Sequence, residues 1–161
     1  MTRADIPGLM SIAAVAHPSY PESEAVFAER LLLFPSGCRS LLAVDGRLHG
    51  YVVSHPWRDA TPVPLNTLLA ALPPQPTTLY LHDLALLPTA RGTGAADEGV
   101  RLLIELARGQ GLPSASLVSV SGSVGFWERH GFKASGVVAS AGLQGYGDDA
   151  VFMVRSLAAR R

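Results

Sequence analysis

Apolar residues recur at helical spacing near the start of the chain. Leu9, Ile12, Ala13 and Ala16 fall on one face of a helix predicted over residues 6–15, and His17-Pro18 ends the pattern. A second helix is predicted from Pro21, a residue suited to a first helical turn. Glu22 and Glu24 lie in that turn, and Phe27, Leu31 and Phe34 line one face before Pro35. Residues 41–44 and 48–53 then flank Asp45-Gly46, a dipeptide that supplies the positive backbone angles of a tight hairpin turn. Six of the twelve prolines lie between residues 56 and 76, a structured excursion in which residues 65–72 offer a short helix. Residues 79–87 are apolar apart from His82 and Asp83, the pattern of a central strand covered on both faces, and Pro88 closes it. Beyond a glycine-rich turn, Val100, Leu103, Ile104 and Ala107 recur at i, i+3, i+4 and i+7 until Gly109 and Gly111. A strand over 115–120, a short helix over 123–130 and strands over 132–138 and 150–157 complete the order. Two helices followed by strands interleaved with helices predict an α/β fold with a mixed sheet.

Composition narrows this to one unit. With 161 residues, 48% hydrophobic and 16% charged, the chain can bury one ordinary core, and residues 1–161 are read as a single domain. Thirteen basic and thirteen acidic side chains cancel, so no broad field draws the molecule to nucleic acid or anionic lipid. Cys38 is the sole cysteine, which excludes an intrachain disulfide and a thiolate metal cluster, and a reducing cytoplasm is the expected setting. Without a long uncharged apolar run, neither secretion nor membrane spanning is expected. No metal is expected.

The turn Arg91-Gly92-Thr93-Gly94-Ala95-Ala96 opens the longest helix. Helix N-termini present free N–H groups and a positive dipole end, so phosphates bind there where no bulk blocks approach. Gly92 and Gly94 remove that bulk, and Arg91 adds a fixed positive charge that can meet a phosphate or cap the turn. The plainer alternative is a tight bend that needs glycine and binds nothing. A P-loop is excluded because no Gly-Lys-Ser/Thr is present. A dinucleotide fingerprint needs a small residue where Asp97 stands and an acidic one where Ser119 and Ser121 stand.

The strand, the proline and the segment Arg91-x-x-Gly94-x-Ala96 resemble the acetyl-CoA loop of the GNAT superfamily of N-acetyltransferases. Downstream, Phe126-Trp127-Glu128-Arg129-His130-Gly131-Phe132 is similar to the family's aromatic pair and Gly-Phe ending, and residues 41–157 follow its order of elements. The resemblance implies a GNAT-like mixed, mostly antiparallel central sheet flanked by helices, with splayed central strands and a pantetheine arm between them. Leu84, Ala85 and Leu86 would then meet the arm through their main chain. Arg91, Gly92, Thr93, Gly94, Ala95 and Ala96 would hold the pyrophosphate, with Ser121 and Phe126 completing the cofactor contacts. The sequence departs at its start, where residues 1–3 leave almost no room for the family's first strand.

Amide formation from a thioester needs a deprotonated amine, donors for the oxyanion and an acid for the leaving thiolate. Asp83 is a candidate site residue because a carboxylate in an apolar strand needs a partner or a function; a hydrogen bond to a neighbouring loop would also satisfy it. His82 is a candidate base, against a satisfied half-buried histidine. Strand alternation predicts that only one of the two faces a given cleft. Trp127 stands where many family members carry tyrosine, and an indole is no useful acid near neutrality. Tyr146, in a glycine-flanked loop, is the replacement, or else packs there. Cys38 is expected to be inert. Ser121-Gly122-Ser123-Val124-Gly125 nearly matches a nucleophile elbow and keeps a serine hydrolase as a minor alternative; a silent acyl-CoA sensor is the other. The expected partners are acetyl-CoA and an amine acceptor, whose pocket residues 56–76 and 136–147 would wall, and a homodimer through sheet edges is compatible with the fold.

Overall fold

The first amphipathic stretch forms α1 (Ile6–Ala16), which buries Ile6, Leu9 and Ile12 and stops at His17, as the following Pro18 demands. These coordinates are a computed structural model, and the structure describes residues 1–136 and 140–157. The second helix, α2 (Glu24–Leu33), begins three residues later than the sequence pattern suggests. Ser23 donates its N–H to Asn66 Oδ1 at 2.8 Å, and Asn66 donates its own to Glu22 Oε2 at 2.8 Å. Ser23 is thus the N-cap of α2, its carbonyl accepting the Val26 N–H at 3.1 Å, while Asn66 ties residues 22 and 23 to the proline-rich excursion and the Glu22 carboxylate leaves the helix terminus where its charge was expected.

The hairpin joins β1 (Cys38–Leu42) to β2 (Leu48–Trp57) in antiparallel register. Its turn is longer than a two-residue connection. Gly46 donates to Ala43 O at 2.9 Å, and of the Asp45-Gly46 pair only Gly46 takes a positive φ, +81°.

Residues 65–72 do not form the expected helix. Their backbone is held from outside by two neighbouring side chains of α2. Glu29 Oε1 accepts the Leu69 N–H at 2.7 Å and Oε2 accepts that of Ala70 at 2.9 Å. Arg30, fully buried, pairs with Glu29 and donates from Nη2 to Thr67 O at 2.7 Å. Asn66 and Ala70 take positive φ of 55° and 64°, incompatible with a right-handed helix. Helix propensity loses here to charge-assisted bonds worth roughly 1.5–3 kcal/mol each.

The strand predicted over 79–87 is β3 (Thr78–Leu86), antiparallel to β2. The glycine turn leads into α3 (Ala95–Gly109), whose buried face is Val100, Leu103, Ile104 and Ala107. Then follow β4 (Ser114–Ser119), α4 (Val124–Arg129), β5 (Lys133–Ala134) and β6 (Val151–Ser156). The sheet order is β1-β2-β3-β4-β6-β5, and only β3 and β4 run parallel. This is the mixed, mostly antiparallel sheet expected. The predicted strand over 132–138 is described only as Lys133–Ala134; residues 137–139, which also belong to the loop expected to wall the pocket, lie outside the described residues.

Helices cover both faces. Against one pack α1 and α2, with Leu9, Ile12, Phe27, Tyr51, Val53 and Ala85 interleaved. Against the other pack α3 and α4, with Leu79, Leu81, Leu103, Ile104, Leu117 and Trp127. Cys38 is buried beneath α1, its thiol pushed up to about 11 by burial, which makes it a packing residue. Among the described residues no helix is long and apolar enough to cross a membrane.

Glu29→Ala leaves the buried Arg30 charge and two amides without their partner. The expected loss is about 3 kcal/mol, or about 10 °C in melting temperature for a domain of this size, with faster amide exchange at Leu69 and Ala70. Unchanged exchange at those two amides would show that Glu29 does not hold the segment.

Candidate functional site

β3 and β4 pair only at Leu79 with Ala115 and Tyr80 with Ser116, after which the two strands part. Between their separated ends lies a cavity of about 280 Å³. Leu81, Leu84 and Leu86 line one wall, and Leu117, Val118 and Val120 the other. Parting leaves main-chain N–H and C=O groups facing the gap, which an extended ligand can pair.

The glycine turn sits at one end. Gly92 and Gly94 adopt φ of +73° and +82°, and Gly94 is the residue from which α3 starts. A Cβ added at either meets no atom within 4 Å, so the space in front of the helix terminus is open. Thr93 Oγ1 donates to Ala90 O at 2.7 Å and fixes the loop. Arg91 and Ala96 reach the cavity itself, while Ala95 lines a neighbouring groove with Ala96. Ser121 and Phe126 line the cavity too; Ser121 is held at φ +53° beside Gly122 at +70°. Of the three residues expected at the arm, Leu84 and Leu86 line the cavity, whereas the Ala85 side chain is buried against Tyr51 on the α1 face.

At the other end both polar residues of β3 point the same way. The β2–β3 register runs Val53 to Asp83 and then Ser54 to Leu81, which leaves His82 as an extra residue, a β-bulge. Leu81 packs toward α3, but His82 lies 6.0 Å from the Phe27 ring of α2, and Asp83 bonds Tyr51 on that same face. The expectation that alternation would separate His82 from Asp83 therefore fails, because the bulge breaks the alternation between them.

Asp83 is held twice. Tyr51 donates its phenol to Oδ2 at 2.6 Å, and His17 Nε2 lies 3.0 Å from Oδ1 and 3.2 Å from Leu84 O. Burial acts to raise the Asp83 pKa, but the bonds from His17 and Tyr51 and the nearby imidazoles outweigh it and hold it below the ordinary value. For His17, burial opposes the charged ring, and the Asp83 carboxylate overcomes it, so its pKa is raised. Burial beside Asp83 drives the Tyr51 phenol far above its ordinary range.

His82 is different. Its side chain is fully buried, with Nε2 2.9 Å from Glu22 Oε1, yet neither ring nitrogen completes a hydrogen bond. Tyr146 is brought to the cavity together with Tyr20, ring centroids 6.3 Å apart. Its phenol is pushed up by burial and then by Tyr80, Glu22 and Asp83, which keeps it neutral. His17, Tyr20, Glu22 and Tyr51 were not candidates in the sequence. The signal available for the first three was their clustering within residues 17–22, around Pro18 and Pro21, a short interhelical loop rich in polar groups.

The Ser123 hydroxyl donates to Val120 O at 2.8 Å and meets Ser119 Oγ at 2.9 Å, and His130 is engaged by Asp97 at 2.9 Å, so no serine–histidine pair forms. Trp127 is buried in the core at the cavity's edge. No group of metal-ligating side chains occurs among the described residues.

The model of the family described as "Acetyltransferase (GNAT) family" matches residues 7–132. Among solved structures, the GphF GNAT-like decarboxylase in complex with isobutyryl-CoA is 19% identical, with a TM-score of 0.83 over 98% of this chain and 97% of that one. The loading GNATL domain of CurA from Lyngbya majuscula is 13% identical, with a TM-score of 0.78 over 95% and 93%. Ard1 from Thermoplasma volcanium is 15% identical, with a TM-score of 0.73 over 99% and 95%. These likenesses establish the fold. A search of curated protein sequences finds no match.

The His17–Asp83 pair has a definite pH signature. Because the folded-state pKa of His17 lies above its unfolded value of 6.5, its contribution is complete below that value and is lost as pH rises through the higher folded value. His17→Gln is therefore expected to lower the melting temperature most below pH 6.5, with the gap to wild type closing as pH rises above that value. A gap that stays constant across this series would refute the pairing.

Proposed function

We propose, since the chain belongs to the acetyltransferase (GNAT) family, that it transfers an acetyl group from acetyl-CoA to a primary amine. The observation that carries this reading is the single cavity that runs from the glycine turn, between the parted strands, to a cluster of titratable side chains. A donor with a pyrophosphate at one end and an extended amide-bearing arm has matching chemistry along that path. Helix α3 supplies N–H groups and dipole for the phosphates, with Arg91 beside them. On this reading the main chain of β3 pairs with the arm at Leu86 and at the Leu84 N–H, the Leu84 carbonyl being engaged by His17, and the thioester lies near Tyr146 and Asp83.

The steps balance without a covalent enzyme intermediate. The acceptor amine gives up its ammonium proton, its nitrogen lone pair attacks the thioester carbon, and the carbonyl π pair moves onto oxygen. Collapse re-forms the carbonyl and breaks the carbon–sulfur bond. The thiolate takes a proton from the Tyr146 phenol, and the nitrogen's remaining excess proton restores the phenol through solvent. Asp83, fixed by Tyr51 and His17, is a permanent negative charge at the acceptor end and favours a cationic substrate before deprotonation.

A carboxylated acyl donor, as for a decarboxylase, fits this cleft poorly: Glu22 and Asp83 both line it. A silent acyl-CoA-binding domain is supported by Trp127 in the place of the common tyrosine, and weighs less once Tyr146 lies in the cavity.

Gly94→Val forces a β-branched residue into a positive φ and fills the open space before α3. CoA affinity is expected to fall about tenfold or more, measured by calorimetry. Tyr146→Phe is expected to lower kcat about 100-fold in thiol-release assays with an amine panel while CoA affinity stays within about twofold. Unchanged CoA binding by Gly94→Val would remove the loop assignment, and tight CoA binding without turnover of any amine would favour the silent domain.

A further inference from the structure

We propose that Glu22, backed by His82, receives the acceptor and takes its proton, and that the acceptor is a primary ammonium with no neighbouring carboxylate. The inference rests on the acetyl-transfer reading and deepens it. Asp83, the carboxylate first noticed, is already committed to the Tyr51 phenol and to His17. Glu22 has no phenol donating to it. Its Oε2 accepts one amide, from Asn66 at 2.8 Å, and its Oε1 faces His82 Nε2 at 2.9 Å without completing a hydrogen bond.

His82 is the anomaly that points to function. A fully buried imidazole whose Nδ1 has no hydrogen-bond partner and whose Nε2 meets only the Glu22 carboxylate is costly, and native structures tolerate such groups chiefly where they act or hold a bound water. Its bulge position sets it behind Glu22, on the same face as Asp83. Around this couple stand His55, ring centroid 6.3 Å from that of His82, with Arg30 from α2, Tyr80 and Asp83 from β3, Tyr146 from its loop and His17 at the end of α1. His55 Nε2 and Arg30 Nε are also buried and unpartnered, which leaves polar sites behind His82.

The proton moves from the ammonium nitrogen to Glu22 Oε1, held in place by His82 Nε2 at 2.9 Å, and the freed lone pair attacks the thioester. The charges also define the acceptor. The only basic side chains among the described residues lining the cavity are His17, His82 and Arg91. The first two are engaged by carboxylates and the third belongs to the glycine turn, so a carboxylate on the acceptor would meet Glu22 and Asp83 with no cation to receive it. Tyr20, Tyr146 and Leu65 offer an apolar surface to the rest of the acceptor.

The test compares wild type with Glu22→Gln, which keeps an acceptor for the Asn66 amide, in acetyl-CoA assays with four nucleophiles. Phenethylamine and phenylalaninamide carry an amine without a carboxylate, phenylalanine adds one, and phenylhydrazine is uncharged near neutral pH. Wild type is expected to use phenylalaninamide with a kcat/KM about 100-fold above that for phenylalanine. Glu22→Gln is expected to lose about 100-fold in kcat with phenethylamine and less than about threefold with phenylhydrazine, which needs no deprotonation before it attacks. His82→Gln is expected to show the same split, with CoA binding by calorimetry confirming a folded donor site in both variants. Equal losses on the two nucleophiles, a rise in KM with kcat intact, or equal use of phenylalanine and its amide would each overturn the proposal. If wild type binds CoA and acylates neither nucleophile, the transfer reading itself falls, an outcome separate from those three.

Discussion

Strands β3 and β4 share two residue pairs and then part, and the rest of the molecule is arranged to make that parting tolerable. A sheet opened at its centre leaves main-chain donors and acceptors unpaired, at a cost comparable to lost hydrogen bonds. The opening stays because both strands are anchored elsewhere. β3 is zipped to β2 along Gly50–Trp57, and β4 to β6 along its whole length. Helix α3 packs Leu103 and Ile104 against the joined ends, and Trp127 of α4 fills the core beside the gap. The unpaired backbone is therefore a standing binding surface, prepared before any ligand arrives.

The bulge at His82 does the corresponding work at the acceptor end. One extra residue in β3 turns two side chains that should oppose one another onto one face, where Tyr51, His17 and Glu22 meet them. That convergence also depends on the strap over residues 65–70, since Asn66 binds both Ser23 and Glu22 and keeps residue 22 out of α2. The Glu29–Arg30 pair holds the strap in turn, so a buried charge in α2 sets the position of a carboxylate in the cleft.

The donor side was legible in the sequence because it rests on local signals. A strand, a proline, two glycines at positive φ and a helix of clear periodicity follow one another within about thirty residues. The acceptor side rests on register and long-range bonds. Nothing in the run Leu79-Tyr80-Leu81-His82-Asp83 announces an extra residue, because a bulge is a relation between two strands, here separated by a segment with five prolines. Residues 65–72 carry the composition of a helix, and the carboxylate that overrides it lies some forty positions away. Glu22 read as a helix-terminus charge for the same reason: the residue that detaches it, Asn66, is remote in sequence.

This difference explains how folds that agree over nearly the whole chain can share so few residues. At 13–19% identity the related structures share the fold, and backbone recognition demands little of side chains beyond small size at the turn. Selectivity at the opposite end has the reverse character. It is set by which carboxylates converge, which of them are already neutralised, and whether any cation remains free. In this chain two carboxylates face the cleft with two histidines engaged to them, so on the proposed reading that end favours a cation and disfavours an anion. Topology opens one end of the cleft, and four side chains that the bulge and the strap bring together furnish the other.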